Sequence, residues 1–176
     1  MKLTLLAIGR LKAGPERDLV ARYSARITAS ARTLGLQGPD MIEISESRAR
    51  REGDRRNEEA LAIRSHLTRD KGGGAAGGAG GSKRLVLFDE RGKSVSSIAF
   101  ADYLARWRDD GVQGAAFVIG GPDGLDPALA QDADLTLSFG RLTLPHQLVR
   151  VLVTEQIYRA LTIIGGHPYH RVGHGD

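Results

Sequence analysis

Cysteine is absent from all 176 positions, so disulfide bridges and thiolate zinc sites are excluded. Long apolar runs are absent as well. Nothing approaches the roughly 18 consecutive apolar residues that a membrane span requires. The opening run Met1 to Arg10 has an apolar core too short for an export signal and no Ala-x-Ala-like cleavage site. It reads as a first buried strand, and the chain is expected in the cytoplasm. Neither standard phosphate-loop spacing is found: no G-x-G-x-x-G follows the first strand, and no glycine-rich loop ends in Gly-Lys-Ser/Thr. His167, His170 and His174 form an H-x-x-H-x-x-x-H array, but glycine and proline interrupt it and no carboxylate cluster supports it. No metal is expected.

What is present fits one ordinary domain over residues 1–176. Apolar residues make up 41%, enough for a real core. The net charge of +4 suits a polyanionic partner and equally suits plain solubility. Residues 72–81 are only glycine and alanine, a composition with little to bury and much backbone entropy to lose. They read as a flexible loop within the domain.

Apolar runs and turn signals alternate along the chain. Strands are expected at Lys2 to Gly9, Met41 to Ile44, Arg84 to Asp89, Ala115 to Ile119 and Leu135 to Ser138, with a turn at Asp89 to Gly92. Helices are expected at Pro15 to Thr33, at Asp54 to Thr68 with Leu61, Ile63 and Leu67 inward, at Ser94 to Asp110, after the Asp126-Pro127 start signal, and from Pro145 to Ile164. This alternation, with a strand at 115–119 apolar on both faces, predicts an α/β fold: a parallel sheet with helices on both faces. Ligands of such sheets sit beyond the carboxyl ends of the strands, which directs attention to the loops after residues 89, 120 and 138.

Gly120-Gly121-Pro122-Asp123-Gly124 is either a tight turn or a place where a ligand approaches the backbone closely. Leu142-Thr143-Leu144-Pro145-His146 is either a helix start or a backbone wall for a ligand. The last helix is apolar on nearly every face, so it is buried inside the domain or against a second copy. Its Glu155 and Arg159, four apart, fit an ordinary surface pair. Two histidines, a tyrosine and an arginine crowd a terminus of the kind that usually frays, which suggests that the tail is held at a site. The arginines among residues 48–56 alternate with carboxylates. They read as a solvated face, with an RNA-backbone contact as the weaker reading.

Several of these sets coincide in order and spacing: Val118 to Leu125, Leu142 to His146, Leu148 to Leu152, Glu155 to Ala160, and His167-Pro168-Tyr169-His170-Arg171. Together they closely resemble the ribosomal RNA large subunit methyltransferase H family, over nearly the whole chain. The resemblance implies a SPOUT-type fold with a C-terminal trefoil knot, a homodimer, and S-adenosylmethionine as methyl donor without a metal. It implies methylation of N3 of a pseudouridine in a 23S ribosomal RNA stem-loop on the assembled ribosome. Carried over by position, the cofactor would be lined by Phe88, Gly120, Phe139, Gly140, Arg141, Leu142, Thr143 and Leu144. Phe139-Gly140-Arg141 departs from the family's usual pattern, so backbone rather than side-chain contacts are expected there. The glycine tract looks like an insertion, and residues 172–176, past the usual end, are expected to be disordered.

The chemistry needs a weakly acidic imide to lose its proton and the resulting charge to be stabilised. Arg171 is the candidate for the charge, Glu155 or His170 for the proton, Tyr169 for stacking on the base, and His146 for an RNA contact. The alternatives are a SPOUT enzyme for tRNA or ribose 2′-OH, a non-catalytic RNA-binding ribosome-assembly factor, and an unrelated nucleotide-binding α/β protein. The sequence from His167 to Arg171 opposes the first, intact glycines at 120 and 121 the second, and the missing phosphate loops the third.

Overall fold

The computed structural model describes residues 1–69 and 83–170. The glycine tract 72–81, Arg171 and residues 172–176 lie outside the described residues.

Five strands form one parallel sheet in the order β2-β1-β4-β3-β5. They are β1 (Lys2–Ile8), β2 (Gln37–Ile44), β3 (Lys83–Lys93), β4 (Gly114–Ile119) and β5 (Leu135–Leu137). The helices are α1 (Pro15–Thr33), α2 (Glu52–Arg69), α3 (Ser97–Asp109), α4 (Pro127–Asp132) and α5 (His146–Ile164). The central strands are apolar at successive positions because both faces are covered. On β4, Ala115, Phe117 and Ile119 join Leu104, Trp107 and Ile157 under α3 and α5. The alternate residues Ala116 and Val118 face Ile63 and Leu129 under α2 and α4. The two-residue period of the strand thus feeds two separate cores, and the expected two-sided arrangement is what forms.

Several boundaries differ from expectation. β3 does not turn at Asp89 but continues to Lys93, with a register shift between Phe88 and Lys93 against β5. A Cβ on Gly92 would lie 2.6–2.8 Å from backbone atoms of Leu137. The glycine therefore marks a close approach of two strands rather than a turn. β2 begins four residues before the expected Met41, through Gly38 and Pro39; it is an edge strand, where a proline costs no central ladder bond. Leu61 is 57% exposed and does not face inward as expected, whereas Ile63 is 1% exposed. Pro145 caps α5 from outside, and His146 is the first helical residue. The Asp126-Pro127 start signal forms as read, with Asp126 Oδ1 accepting from the Ala128 N–H at 2.8 Å. No described helix is long and apolar enough to cross a membrane.

Candidate active site

A cavity of about 480 Å³ opens at the carboxyl ends of β4, β3 and β5, within the roughly 300–1,000 Å³ of small-molecule sites. Three chain segments build it. The first is the loop after β4. Gly124 N–H donates to Gly121 O at 3.0 Å, and Gly124 has a φ of +79°, which favours glycine. A Cβ on Gly120 would lie 2.9 Å from the Gly124 carbonyl carbon, and one on Gly121 would lie 2.9 Å from Ile8 Cγ2. Of the two readings of these glycines, the tight turn is what the backbone shows: Gly120 lets the loop fold onto itself, and Gly121 lets it pass close to Ile8 on β1. Arg55 holds the loop in place, donating to Asp123 at 2.6 and 2.9 Å. This pairing lowers the Asp123 pKa below the usual carboxylate range.

The second segment follows β5. Ser138 Oγ donates to Gly140 O at 2.8 Å and accepts from Gly140 N–H at 3.1 Å. Gly140 has a φ of +123°, a conformation L side chains rarely adopt. Phe139 stacks on Phe88 with centroids 5.4 Å apart and planes 10° from parallel. Leu142, Thr143 and Leu144 complete this wall. The third segment is the end of β3. Asp89 accepts from the Arg91 guanidinium at 2.8 and 2.9 Å, which lowers its pKa and keeps it ionised.

Seven of the expected cofactor residues line this cavity: Phe88, Gly120, Phe139, Gly140, Leu142, Thr143 and Leu144. Arg141 does not line it and is exposed. His146 lines it too, with burial first and the Arg150 charge second lowering its pKa, so the neutral ring is favoured. Asp89, Glu90, Arg91 and Asp123 also line the cavity; they fall at loops the sheet rule singled out but were not named as site residues. Reading 89–92 as a generic turn hid the first three, although a carboxylate at a strand end was the available signal.

Glu155, Tyr169 and His170 do not line this cavity. Val149 is the last α5 residue that does. Glu155 lies six residues further on, about 9 Å along the axis and on a different face. It accepts from Arg159 at 2.6 and 3.0 Å, from Tyr169 Oη at 3.1 Å and from Gln156 Nε2 at 2.6 Å. The Tyr169 ring meets Tyr158 edge-on at 4.8 Å, with the Arg159 guanidinium 5.0 Å from its centroid. Burial raises the Tyr169 pKa, so the phenol stays protonated. Tyr169 therefore rests against the last helix, at Glu155, Tyr158 and Arg159. Both ring nitrogens of His170 are buried without a hydrogen-bond partner among the described residues. No metal-ligating cluster occurs among the described residues.

The chain as a whole is similar to known proteins. The family model described as predicted SPOUT methyltransferase matches residues 1–170. The protein named ribosomal RNA large subunit methyltransferase H from Rhodopseudomonas palustris (strain HaA2) is 57% identical over 171 residues, covering 97% of this chain and 99% of that one. Its namesake from Brucella abortus (strain S19) is 48% identical over the same shares. Among solved structures, the SpoU methyltransferase AviRb from Streptomyces viridochromogenes, in complex with the cofactor AdoMet, has a TM-score of 0.41 and 16% identity, covering 93% of this chain and 58% of that one. A probable methylase family protein from Haemophilus influenzae Rd KW20 has a TM-score of 0.48 and 12% identity, covering 97% and 70%. The chain belongs to the SPOUT methyltransferases and, within them, to the ribosomal RNA large subunit methyltransferase H family.

Proposed function

We propose that the protein transfers a methyl group from S-adenosylmethionine to N3 of a pseudouridine in 23S ribosomal RNA, within the assembled ribosome. The observation that carries this reading is the coincidence of two things. An open cavity at the strand ends is lined by seven of the eight residues the family resemblance picks out for the methyl donor, and a full-length relative at 57% identity bears the name of a ribosomal RNA methyltransferase. The lining suits the donor. Aromatic and aliphatic walls from Phe88, Leu125 and Leu144 suit an adenine ring, and the ionised Asp89 suits hydroxyl or ammonium groups.

When bound, S-adenosylmethionine supplies a methyl group on a sulfonium. The chain's own residues must present the nucleophile in line, at about 3–3.5 Å. As the N3–C bond forms and the S–C bond breaks, the imide proton passes to a base. His170, with both ring nitrogens unpartnered among the described residues, is the proposed acceptor. Glu155 already accepts hydrogen bonds from three side chains; its proposed role is to position Tyr169 and Arg159. Tyr169 and His146 are proposed to contact RNA. Arg171 is proposed to stabilise the charge on the imide oxygens.

Within one copy the tail set and the cavity lie on different faces of α5. The reading therefore includes a homodimer in which the tail of one copy serves the cavity of the other. An open stripe of α5 supports this. Leu148 is 42% exposed, and Val151, Leu152, Glu155 and Arg159 are half-buried at spacings of three and four. The C-terminal trefoil knot belongs to the same reading.

The direct test is calorimetric titration with S-adenosylmethionine. One site per chain, with full binding in the presence of chelator, is expected. Leu144→Asp, which puts a charge into the apolar wall, should abolish it. Absence of binding by the wild type would overturn the assignment of the cavity.

A further inference from the structure

Beside the mouth of the cavity, two loops follow neighbouring parallel strands: residues 9–14 after β1 and 45–51 after β2. They are joined closely. Gly9 N–H donates to Ile44 O at 2.7 Å, and Leu11 N–H donates to Glu43 Oε1 at 2.7 Å. Arg55 ties the second loop to the cavity wall, since its Nη1 donates to Ala49 O at 3.2 Å and to Arg50 O at 3.3 Å while the rest of its fork holds Asp123.

The charges on these loops sort by whether they are already engaged. Most of the carboxylates nearby lie on the flanking strand and helices rather than on the loops. Glu43 pairs with buried Arg150 at 2.9 Å, Glu52 pairs with Arg56 at 3.0 Å, and Glu58 and Glu59 accept from the Ser47 hydroxyl and amide. Glu16, Asp18 and Asp54 lie in the first turns of α1 and α2, where they offset the positive helix ends; Glu46 lies against Gly9. Arg10, Lys12, Arg17, Arg48, Arg50 and Arg51 are all exposed, and none has a side-chain ionic partner among the described residues. Arg10 and Arg17 also converge on one cleft of about 620 Å³, which Met41 and Arg150 help to line. Within the two loops themselves, residues 9–14 and 45–51, the cations Arg10, Lys12, Arg48, Arg50 and Arg51 stand against the single carboxylate Glu46, so the positive charge is clustered on the loops.

We propose that these two loops form a docking surface for the phosphate backbone of the RNA substrate, holding the strand so that the target base reaches the cavity. The proposal rests on the reading above that the substrate is RNA. Each phosphate neutralised by such a cation releases counterions, so binding should weaken with salt in proportion to the number of contacts.

The test compares the full-length wild type with Arg48→Gln/Arg50→Gln/Arg51→Gln. Two probes are used: large ribosomal subunits from cells lacking this protein, for methylation kinetics, and a short mixed-sequence RNA, for binding across a salt series. Arg32→Gln/Arg106→Gln, at the opposite end of the sheet, is the control. The triple variant should raise KM for ribosomal subunits about tenfold with kcat unchanged, and should flatten the log–log salt slope by about 2–3, near one per lost contact. Affinity for S-adenosylmethionine should not change. An unchanged salt slope, or an equal change in the control, would overturn the docking surface. If the wild type methylates no ribosomal subunit, the proposed function fails instead, and the salt slopes with the short RNA still decide the surface.

Discussion

The guanidinium of Arg150 is among the largest fully buried side chains, at 2% exposure. It donates to Ile8 O at 2.6 Å, to Gly9 O at 2.7 Å and to Glu43 at 2.9 Å. These bonds lock the start of α5 onto the end of β1 beside the cavity. Arg150→Leu would keep the volume but take the guanidinium from the Ile8 and Gly9 carbonyls and leave Glu43 with the Leu11 N–H alone. It should cost about 3 kcal/mol, read as a lower midpoint in urea unfolding. From sequence alone Arg150 was one polar residue among several on an apolar helix, because which carbonyls it reaches depends on strands 140 residues away. A local misreading hid Asp89. Its partner Arg91 is only two residues on, but both sat in what read as a turn. Phe88, Gly140 and Leu144 were legible because the family resemblance and the sheet rule point to the same loop ends. Arg171 belongs to the proposed chemistry. Arg171→Ala should lower the single-turnover rate by about 10²–10³ at saturating ribosomal substrate, with methyl-donor binding unchanged. A near-normal saturated rate would leave it only a phosphate contact.

At the scale of elements, periodicity located nearly every strand and helix, and it failed where glycine or an edge strand intervened. Gly92 and Gly38 carry the sequence mark of turns. Gly92 serves a close strand approach, and Gly38 lies in an edge strand, which sequence could not distinguish from a break. Leu61 followed the apolar pattern yet points outward, since helix phase alone does not fix where a helix stops facing the sheet. α5 was read as buried on nearly all sides. One copy leaves its 148–155 stripe partly open, and in the proposed dimer the second copy covers it. Leu148→Asp/Leu152→Asp should therefore convert the proposed dimer to a monomer in light scattering, and methylation should vanish while S-adenosylmethionine still binds. A monomeric variant with full activity would place the tail and cavity functions within one chain.

At the scale of the whole molecule, a parallel sheet gathers three loop ends into one cavity, and a long apolar helix carries a second set of functional groups away from it. Basic loops flank the cavity mouth on the β1 and β2 side. The proposed division of labour is that the cavity holds the methyl donor, the loops hold phosphate, and a tail from the second copy acts on the base. The measurement that tests this most directly is methyl transfer itself. Large ribosomal subunits from cells lacking the protein are incubated with the pure protein and S-adenosylmethionine carrying a labelled methyl group, and the 23S RNA is then digested and mapped by mass spectrometry. The account predicts label on a single pseudouridine, at N3, in one stem-loop. Label on a ribose hydroxyl, on transfer RNA, or on no nucleotide at all would contradict it.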